Sequence, residues 1–255
     1  GNKIKNFFIR KIMEISISTS TSIIVPSHYA KNNLIQKINI SSNKIDVINL
    51  GVDHISIQQN KYDKITNFDY NQKYILSVIS CVKYHNILNL LKSYKIFLNE
   101  TNSSIKFVLV LSILDKKYFE ELEDFVNNNF DKNQIIFLPN LENKYLFNIY
   151  KNSSLYIFTS YSETFGLTSL EAMHFNMPLL LSNTSSIKEI NGDIPEYFDP
   201  DNISEIKDKL IKLVNLKRDQ VQSDFDINKK QQHLKKYFWK VTFDKIYEIL
   251  SKSVI

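Results

Sequence analysis

From residue 74 onward, short apolar runs alternate with amphipathic stretches at regular intervals. The pattern predicts strands at 74–79, 105–111, 135–138, 155–159 and 178–182. Helices are predicted near 86–99, 115–128, 142–151 and 167–175. Strands this short and this apolar, separated by helices, imply a parallel sheet covered on both faces. Right-handed crossovers then give a doubly wound, Rossmann-like α/β domain. Its ligand crevice should lie outside the C-terminal ends of the strands.

The flanks are patterned differently. Ile4, Phe7, Phe8, Ile12 and Ile15 fall near helical spacing, so residues 3–17 are read as a helix. A short buried strand at 22–26, a helix at 29–37, a strand at 46–49 and a turn at 50–53 follow. Residues 55–70 are polar and unpatterned, as suits a linker. At the other end Trp239, Phe243, Ile246, Tyr247 and Leu250 fall on one stripe of a long amphipathic helix. The chain therefore divides into 1–54, a Rossmann-like unit at 55–232, and a closing helix at 233–255.

Composition narrows the function classes. With 255 residues, 43% hydrophobic and 23% charged, the chain has enough apolar material for a sizeable core. Its apolar runs are too short to span a bilayer, and residues 1–11 are basic and amphipathic rather than a cleavable signal. Such a basic helix is of the kind that lies on a membrane surface, although most simply pack on a domain. The single cysteine, Cys81, excludes an internal disulfide framework and a Cys-based zinc cage. A cytoplasmic setting, at the inner face of the membrane if the helix binds there, fits that usage. The net charge of +5 is spread along the chain without a Lys/Arg block, which weighs against nucleic acid as a partner.

Glycine is scarce: four in all, with Gly51, Gly166 and Gly192 in the interior. Gly166 lies in the segment richest in candidate chemistry, 160–174, which follows a strand and opens a helix. Free amides and the positive end of the helix dipole there favour an anion, phosphate above all. Glu163 in the loop and Glu171, expected in the first helical turn, are suited to accept hydrogen bonds from ribose and sugar hydroxyls. Thr168-x-x-Glu171 is equally a legitimate capping box, which would make the same residues structural.

The segment resembles the E-x7-E signature of retaining GT-B glycosyltransferases of the family-4 type (glycosyl transferases group 1), with Phe165-Gly166-Leu167 and Leu170-Glu171-Ala172-Met173 between and after the two carboxylates. Similarity continues in family order, through Val47-Ile48-Asn49-Leu50-Gly51-Val52-Asp53 upstream and Tyr197-Phe198-Asp199-Pro200 downstream, and covers about residues 20–250. The resemblance implies a nucleotide-diphosphate sugar as donor, a glycan or lipid-linked acceptor and no metal or other cofactor. It further implies that 1–54 corresponds to the last helix and strand of an acceptor-binding domain, so that the chain alone would transfer weakly. By the same likeness Glu163 would contact the transferred hexose and Glu171 the ribose. Backbone amides around Thr164, Phe165, Gly166, Leu167 and Thr168 would face the diphosphate, and Asn140 and Leu141 the base. Surface glycans such as lipopolysaccharide or capsule are the acceptor class suggested by analogy.

One departure stands out. Where many relatives place an Arg and a Lys on the diphosphate, this chain has Ser80 and His85, with Lys83 nearby. His85 and Lys83 are read either as substitutes or as a helix-terminal residue and a solvated charge. The departure favours a degenerate, non-catalytic nucleotide-sugar-binding module as the alternative function. A hydrolysing epimerase on the same fold is a second alternative, disfavoured by the carboxylate pair. Asp224-Phe225-Asp226 has a metal-binding form, but it lies in a polar tail where helix capping is the simpler role. His28, His54, His174 and His233 show no ligand spacing.

Overall fold

The computed structural model describes residues 3–38, 40–57, 63–215 and 224–253, with backbone only at 3–6, 56–57, 224–225 and 253. The chain opens with α1 (Lys3–Thr19), β1 (Ile23–Val25), α2 (His28–Ile38), β2 (Ile45–Val47) and the one-turn α3 (His54–Ile57). Strand and helix then alternate: β3 (Tyr74–Cys81), α4 (Ile87–Thr101), β4 (Lys106–Ile113), α5 (Lys116–Asn129), β5 (Ile135–Pro139) and α6 (Asn143–Asn152). The alternation continues through β6 (Leu155–Phe158), α7 (Leu167–His174), β7 (Leu179–Ser182), α8 (Ile187–Asn191), β8 (Glu196–Phe198) and α9 (Ile203–Val214). Two further helices, α10 (Asp224–Leu234) and α11 (Trp239–Ser253), close the chain.

The six strands β3–β8 form one sheet in the order β5-β4-β3-β6-β7-β8, every neighbouring pair parallel. β6 and β7 are buried along their whole length and β3 at all but Ser80, as expected of strands with helices on both faces. From β3 the chain runs outward to β5, returns to place β6 beside β3, and runs outward again to β8. The reversal between β3 and β6 is a topological switch point, where loops leaving the two strands diverge and open a crevice.

The five expected strands are all present, with boundaries shifted by two residues or fewer. β8, α8, α9 and α10 are additional. The strand expected to be buried at 22–26 is not: Ile24 is 42% exposed, because β1 pairs only with β2 in a two-stranded parallel sheet. The closing helix also turns a different face inward. Phe243, Tyr247 and Leu250 are exposed, whereas Thr242 is buried and Trp239 half-buried. Two polar contacts set that rotation: the Trp239 amide donates to Asp53 Oδ1 at 2.7 Å, and Thr242 Oγ1 donates to the Asn49 carbonyl at 2.8 Å. Among the described residues no helix is long and apolar enough to cross a membrane.

Gly51 is where that helix and the 49–53 segment cross. A Cβ there would lie 2.5 Å from both Cγ and the amide nitrogen of Trp239. Backbone cannot swing aside as a flexible side chain would, so Gly51→Ala should cost about 1–3 kcal/mol. Thermal unfolding should show this as a drop of roughly 3–10 °C in Tm. An unchanged Tm would mean that α11 does not pack on this segment in solution.

Candidate active site

The switch point is built around one turn. Gly166 adopts φ 82° and ψ 48°, a left-handed conformation, and caps α7. An added Cβ would also lie 2.6 Å from Ile187 Cδ1, so that side chain would have to shift. Ser169 returns both its amide (3.1 Å) and its hydroxyl (2.7 Å) to the Gly166 carbonyl, which fixes the first turn. The amides of Leu167 and Thr168 therefore head the helix, where no intrahelical carbonyl exists to accept them. The Phe165 ring is buried edge-on against Tyr237, so only its backbone is available at the turn. The capping box does not form. Thr168 is inside the helix, its Oγ1 accepting from the Tyr156 hydroxyl at 2.8 Å. Because the helix starts only at Leu167, Glu171 lies past the first turn in which it was expected.

Glu163 is pinned from two sides. Its amide donates to Ser185 Oγ at 2.9 Å and its carbonyl accepts from Ser186 Oγ at 3.0 Å. Its carboxylate Oε1 lies 3.0 Å from Nε2 of His85, across the crevice mouth. His85 is buried, and its Nδ1 is 2.6 Å from the Ser80 carbonyl. The two loops are stitched together by Thr159 Oγ1 donating to the His85 carbonyl (2.8 Å) and the Tyr161 amide donating to the Tyr84 carbonyl (2.9 Å).

Glu171 is buried, and each of its oxygens has a partner. The Tyr150 hydroxyl donates to Oε2 at 2.9 Å, and His54 Nε2 lies 3.2 Å from Oε1. Burial, and next the Glu171 charge, push the Tyr150 hydroxyl well above its ordinary value, so it remains a donor. The hydrogen bond to Glu171 likewise raises the His54 imidazole above 6.5. Partial burial opposes that rise, and the charges of Glu171 and Asp53 add to it. Burial raises the Tyr156 hydroxyl, its bond to Thr168 opposes the rise, and the charges of Glu171 and Glu163 add to it. Neither His54 nor Tyr150 was legible as a partner, being 117 and 21 residues away from Glu171 in sequence.

The remaining candidates are placed as follows. Ser80 contributes its carbonyl to His85. Lys83 is exposed, 3.5 Å from Glu121 on α5 and over the Tyr118 ring, so it leans away from Glu163. Asn140 adopts φ 50° and accepts from the Ile113 amide at 3.0 Å, which ties the β5 loop to the end of β4. Leu141 packs on the core. The Thr164 side chain is exposed, and its carbonyl accepts from Ser27 Oγ at 2.6 Å. Close by, Glu189 caps α2 from another element, accepting from the amides of His28 (2.7 Å) and Tyr29 (2.9 Å). The first 57 residues thus touch the site at Thr164, at Glu189 and through His54.

Among the described residues no group of three or more His, Cys, Asp or Glu side chains gathers to hold a metal ion. Asp224-Phe225-Asp226 opens α10, and the side chains of Asp224 and Phe225 lie outside the described residues. A wide depression of about 1150 Å³ lies at the opposite end of the sheet, around Lys73, Asn102, Lys106, Asn152 and Asn176. Among the described residues its walls hold no carboxylate or histidine.

Comparison with known proteins gives this arrangement a family. The profile described as glycosyl transferases group 1 matches residues 58–234. The chain is 24% identical over 203 residues to the O-antigen chain mannosyltransferase RfbU of Salmonella typhimurium, covering 78% of this chain and 52% of that protein. It is 24% identical over 226 residues to the capsular polysaccharide biosynthesis glycosyltransferase CapM of Staphylococcus aureus, covering 82% and 56%. The chain spans about half the length of these curated relatives. Among solved structures it is similar to HepE of Anabaena in complex with UDP and glucose, with a TM-score of 0.79 at 17% identity over 95% of this chain and 66% of that one. A UDP-forming α,α-trehalose-phosphate synthase from Burkholderia vietnamiensis gives 0.80 at 15% identity, over 95% and 61%. At such identities the likeness is one of fold, the GT-B architecture.

The His54–Glu171 contact has a signed pH dependence. Because His54 titrates higher folded than unfolded, its contribution to stability is complete below 6.5 and is lost as pH rises through the folded value. The gap in Tm between the wild type and His54→Asn should therefore be widest in mildly acidic buffer and close on going alkaline. Glu171→Gln should lower the His54 midpoint in an NMR titration. A midpoint indifferent to that substitution would show that the contact does not form in solution.

Proposed function

The chain belongs to the group 1 glycosyl transferases, and on that premise we propose that it forms the donor-binding part of a retaining hexosyltransferase. The donor is a nucleotide-diphosphate sugar, and the acceptor a glycan or lipid-linked glycan of the kind named for the O-antigen and capsule relatives. A mannosyl donor is the first to test, because mannosyltransferases stand among those relatives. The observation that carries this reading is the pair Glu163 and Glu171, on either side of a glycine-capped helix N-terminus at the switch point.

In this reading the diphosphate sits on the amides of Leu167 and Thr168 at the positive end of α7, without a metal. Glu171 accepts from the ribose hydroxyls, replacing or sharing its bonds to His54 and Tyr150. Glu163 accepts from hydroxyls of the transferred hexose. The bond from the anomeric carbon to the diphosphate breaks, and the bond to the acceptor oxygen forms on the same face. The acceptor proton leaves with the diphosphate. Acceptor binding is a property of the whole protein, and this chain spans about half the length of the curated relatives it matches.

A second reading, a non-catalytic nucleotide-sugar-binding module, draws on one observation. Lys83 is turned toward Glu121 and His85 toward Glu163, so neither stands free to meet a diphosphate. Calorimetric titration with UDP, GDP, ADP and dTDP tests both. One nucleotide should bind, and Glu171→Ala should weaken it roughly 10- to 100-fold, the worth of a hydrogen-bonded charge. Absence of binding by all four would remove the donor-site reading. Binding without transfer by the whole protein would favour the module.

A further inference from the structure

We propose that His85 is the positioning residue for Glu163, acting on the transferred sugar through that carboxylate rather than touching the diphosphate itself; this rests on the donor-site reading above. Both ring nitrogens of His85 are committed. Nδ1 lies 2.6 Å from the Ser80 carbonyl, and a carbonyl only accepts, so Nδ1 carries a proton and donates it. That bond fixes the plane of the ring and leaves Nε2 at ion-pair distance from Glu163 Oε1, 3.0 Å away.

The ring has little room to do otherwise. It is 5% exposed, with the Tyr84 ring edge-on at 4.4 Å and Phe158 behind it at 6.1 Å. Its backbone is clamped as well. The His85 amide donates to the Val82 carbonyl, and its carbonyl accepts from Thr159 Oγ1 at 2.8 Å. The next residue, left-handed Asn86 at φ 57°, donates through Nδ2 to the Pro200 carbonyl at 2.7 Å. To reach a phosphate His85 would have to give up the Ser80 bond, the Glu163 contact or its burial.

Glu163 complements this. The loop after β7 holds its main chain through Ser185 and Ser186 but does not touch its carboxylate. Among the described residues His85 alone contacts that carboxylate. The backbone of Glu163 is thus set from one side of the switch point and its carboxylate direction from the other. With Oε1 held by His85, Oε2 is left to accept from a sugar hydroxyl. A free carboxylate would have to be ordered each time a sugar binds, at the cost of its rotamer entropy.

The proposal separates sugar recognition from nucleotide recognition. The measurement is the affinity ratio of GDP-mannose to GDP, and of UDP-glucose to UDP, in the wild type, His85→Ala, His85→Gln, Glu163→Ala and the double Ala variant. His85→Ala and Glu163→Ala should each cut the sugar-dependent gain roughly five- to fiftyfold, with far smaller change for the bare diphosphate. The double variant should lose no more than either single one, because the two act as a unit. His85→Gln supplies a neutral amide donor and should restore the greater part of the gain. Equal losses for diphosphate and sugar nucleotide in His85→Ala, unrepaired by Gln, would overturn the proposal and put His85 on the diphosphate. Additive losses in the double variant would overturn it too. A wild type that binds none of UDP, GDP, ADP and dTDP would instead remove the donor-site reading, and this role with it; preference for adenine or thymine moves the same comparison to the matching sugar nucleotide. Thermal unfolding of each variant separates these outcomes from a failure to fold.

Discussion

The left-handed turn at Gly166 is the constraint from which the rest of the site hangs. Its positive φ favours glycine, and an added Cβ would press on the Ile187 methyl. The turn decides where α7 starts, and so which way each of its residues faces. A start one residue later would rotate the helix by about 100°. Glu171 would then swing away from Tyr150 and His54, and Thr168 from Tyr156. The loop that carries Glu163 enters the same turn from the other side. One backbone conformation therefore sets the relation between the two carboxylates, and the sheet order places that conformation at the switch point.

Each carboxylate is then oriented by a histidine from a different part of the chain. His85 comes from the loop after β3, and His54 from the segment that crosses into the six-stranded sheet. That crossing segment is not a passive linker. It is gripped by α11 through Asp53, Asn49 and the bare backbone of Gly51, and it ends one turn later at His54 on Glu171. Ser27 on Thr164 and Glu189 on the N-terminus of α2 add two more ties on the other flank of the same turn. Displacement of residues 23–57 against the sheet is consequently felt at both ends of the carboxylate pair.

Much of this was legible in the sequence, for identifiable reasons. Strands buried on both faces leave unbroken apolar runs, so β3, β4, β6 and β7 could be read directly. The three interior glycines fell where backbone or space demands them. The spacing of Ile206, Leu210 and Leu213 in α9 is an ordinary helical signal that the reading left unassigned. The apolar stripe of α11 does not by itself say which face packs inward; Asp53 and Asn49, remote in sequence, hold Trp239 and Thr242. His54 and Tyr150 were illegible for a deeper reason. Their role exists only through Glu171, and no local spacing encodes a partner brought in by the tertiary fold. The capping-box reading of Thr168 and Glu171 failed because Gly166, not Thr168, starts the helix.

A crevice lined by two carboxylates is a poor place for a diphosphate unless their charge is met. The histidines meet it. Nε2 of His85 lies 3.0 Å from Glu163 Oε1, where an imidazolium would cancel the carboxylate's charge. His54, raised by Glu171, makes the second pair neutral when protonated. What then remains at the switch point is the uncompensated positive end of α7, equivalent to roughly half an elementary charge. With bare carboxylates the two negative charges would outweigh it. With both histidines protonated the helix end would govern, as the proposed donor site requires. In the proposed donor site the same residues that orient the carboxylates would keep their charge from repelling the phosphates beside them.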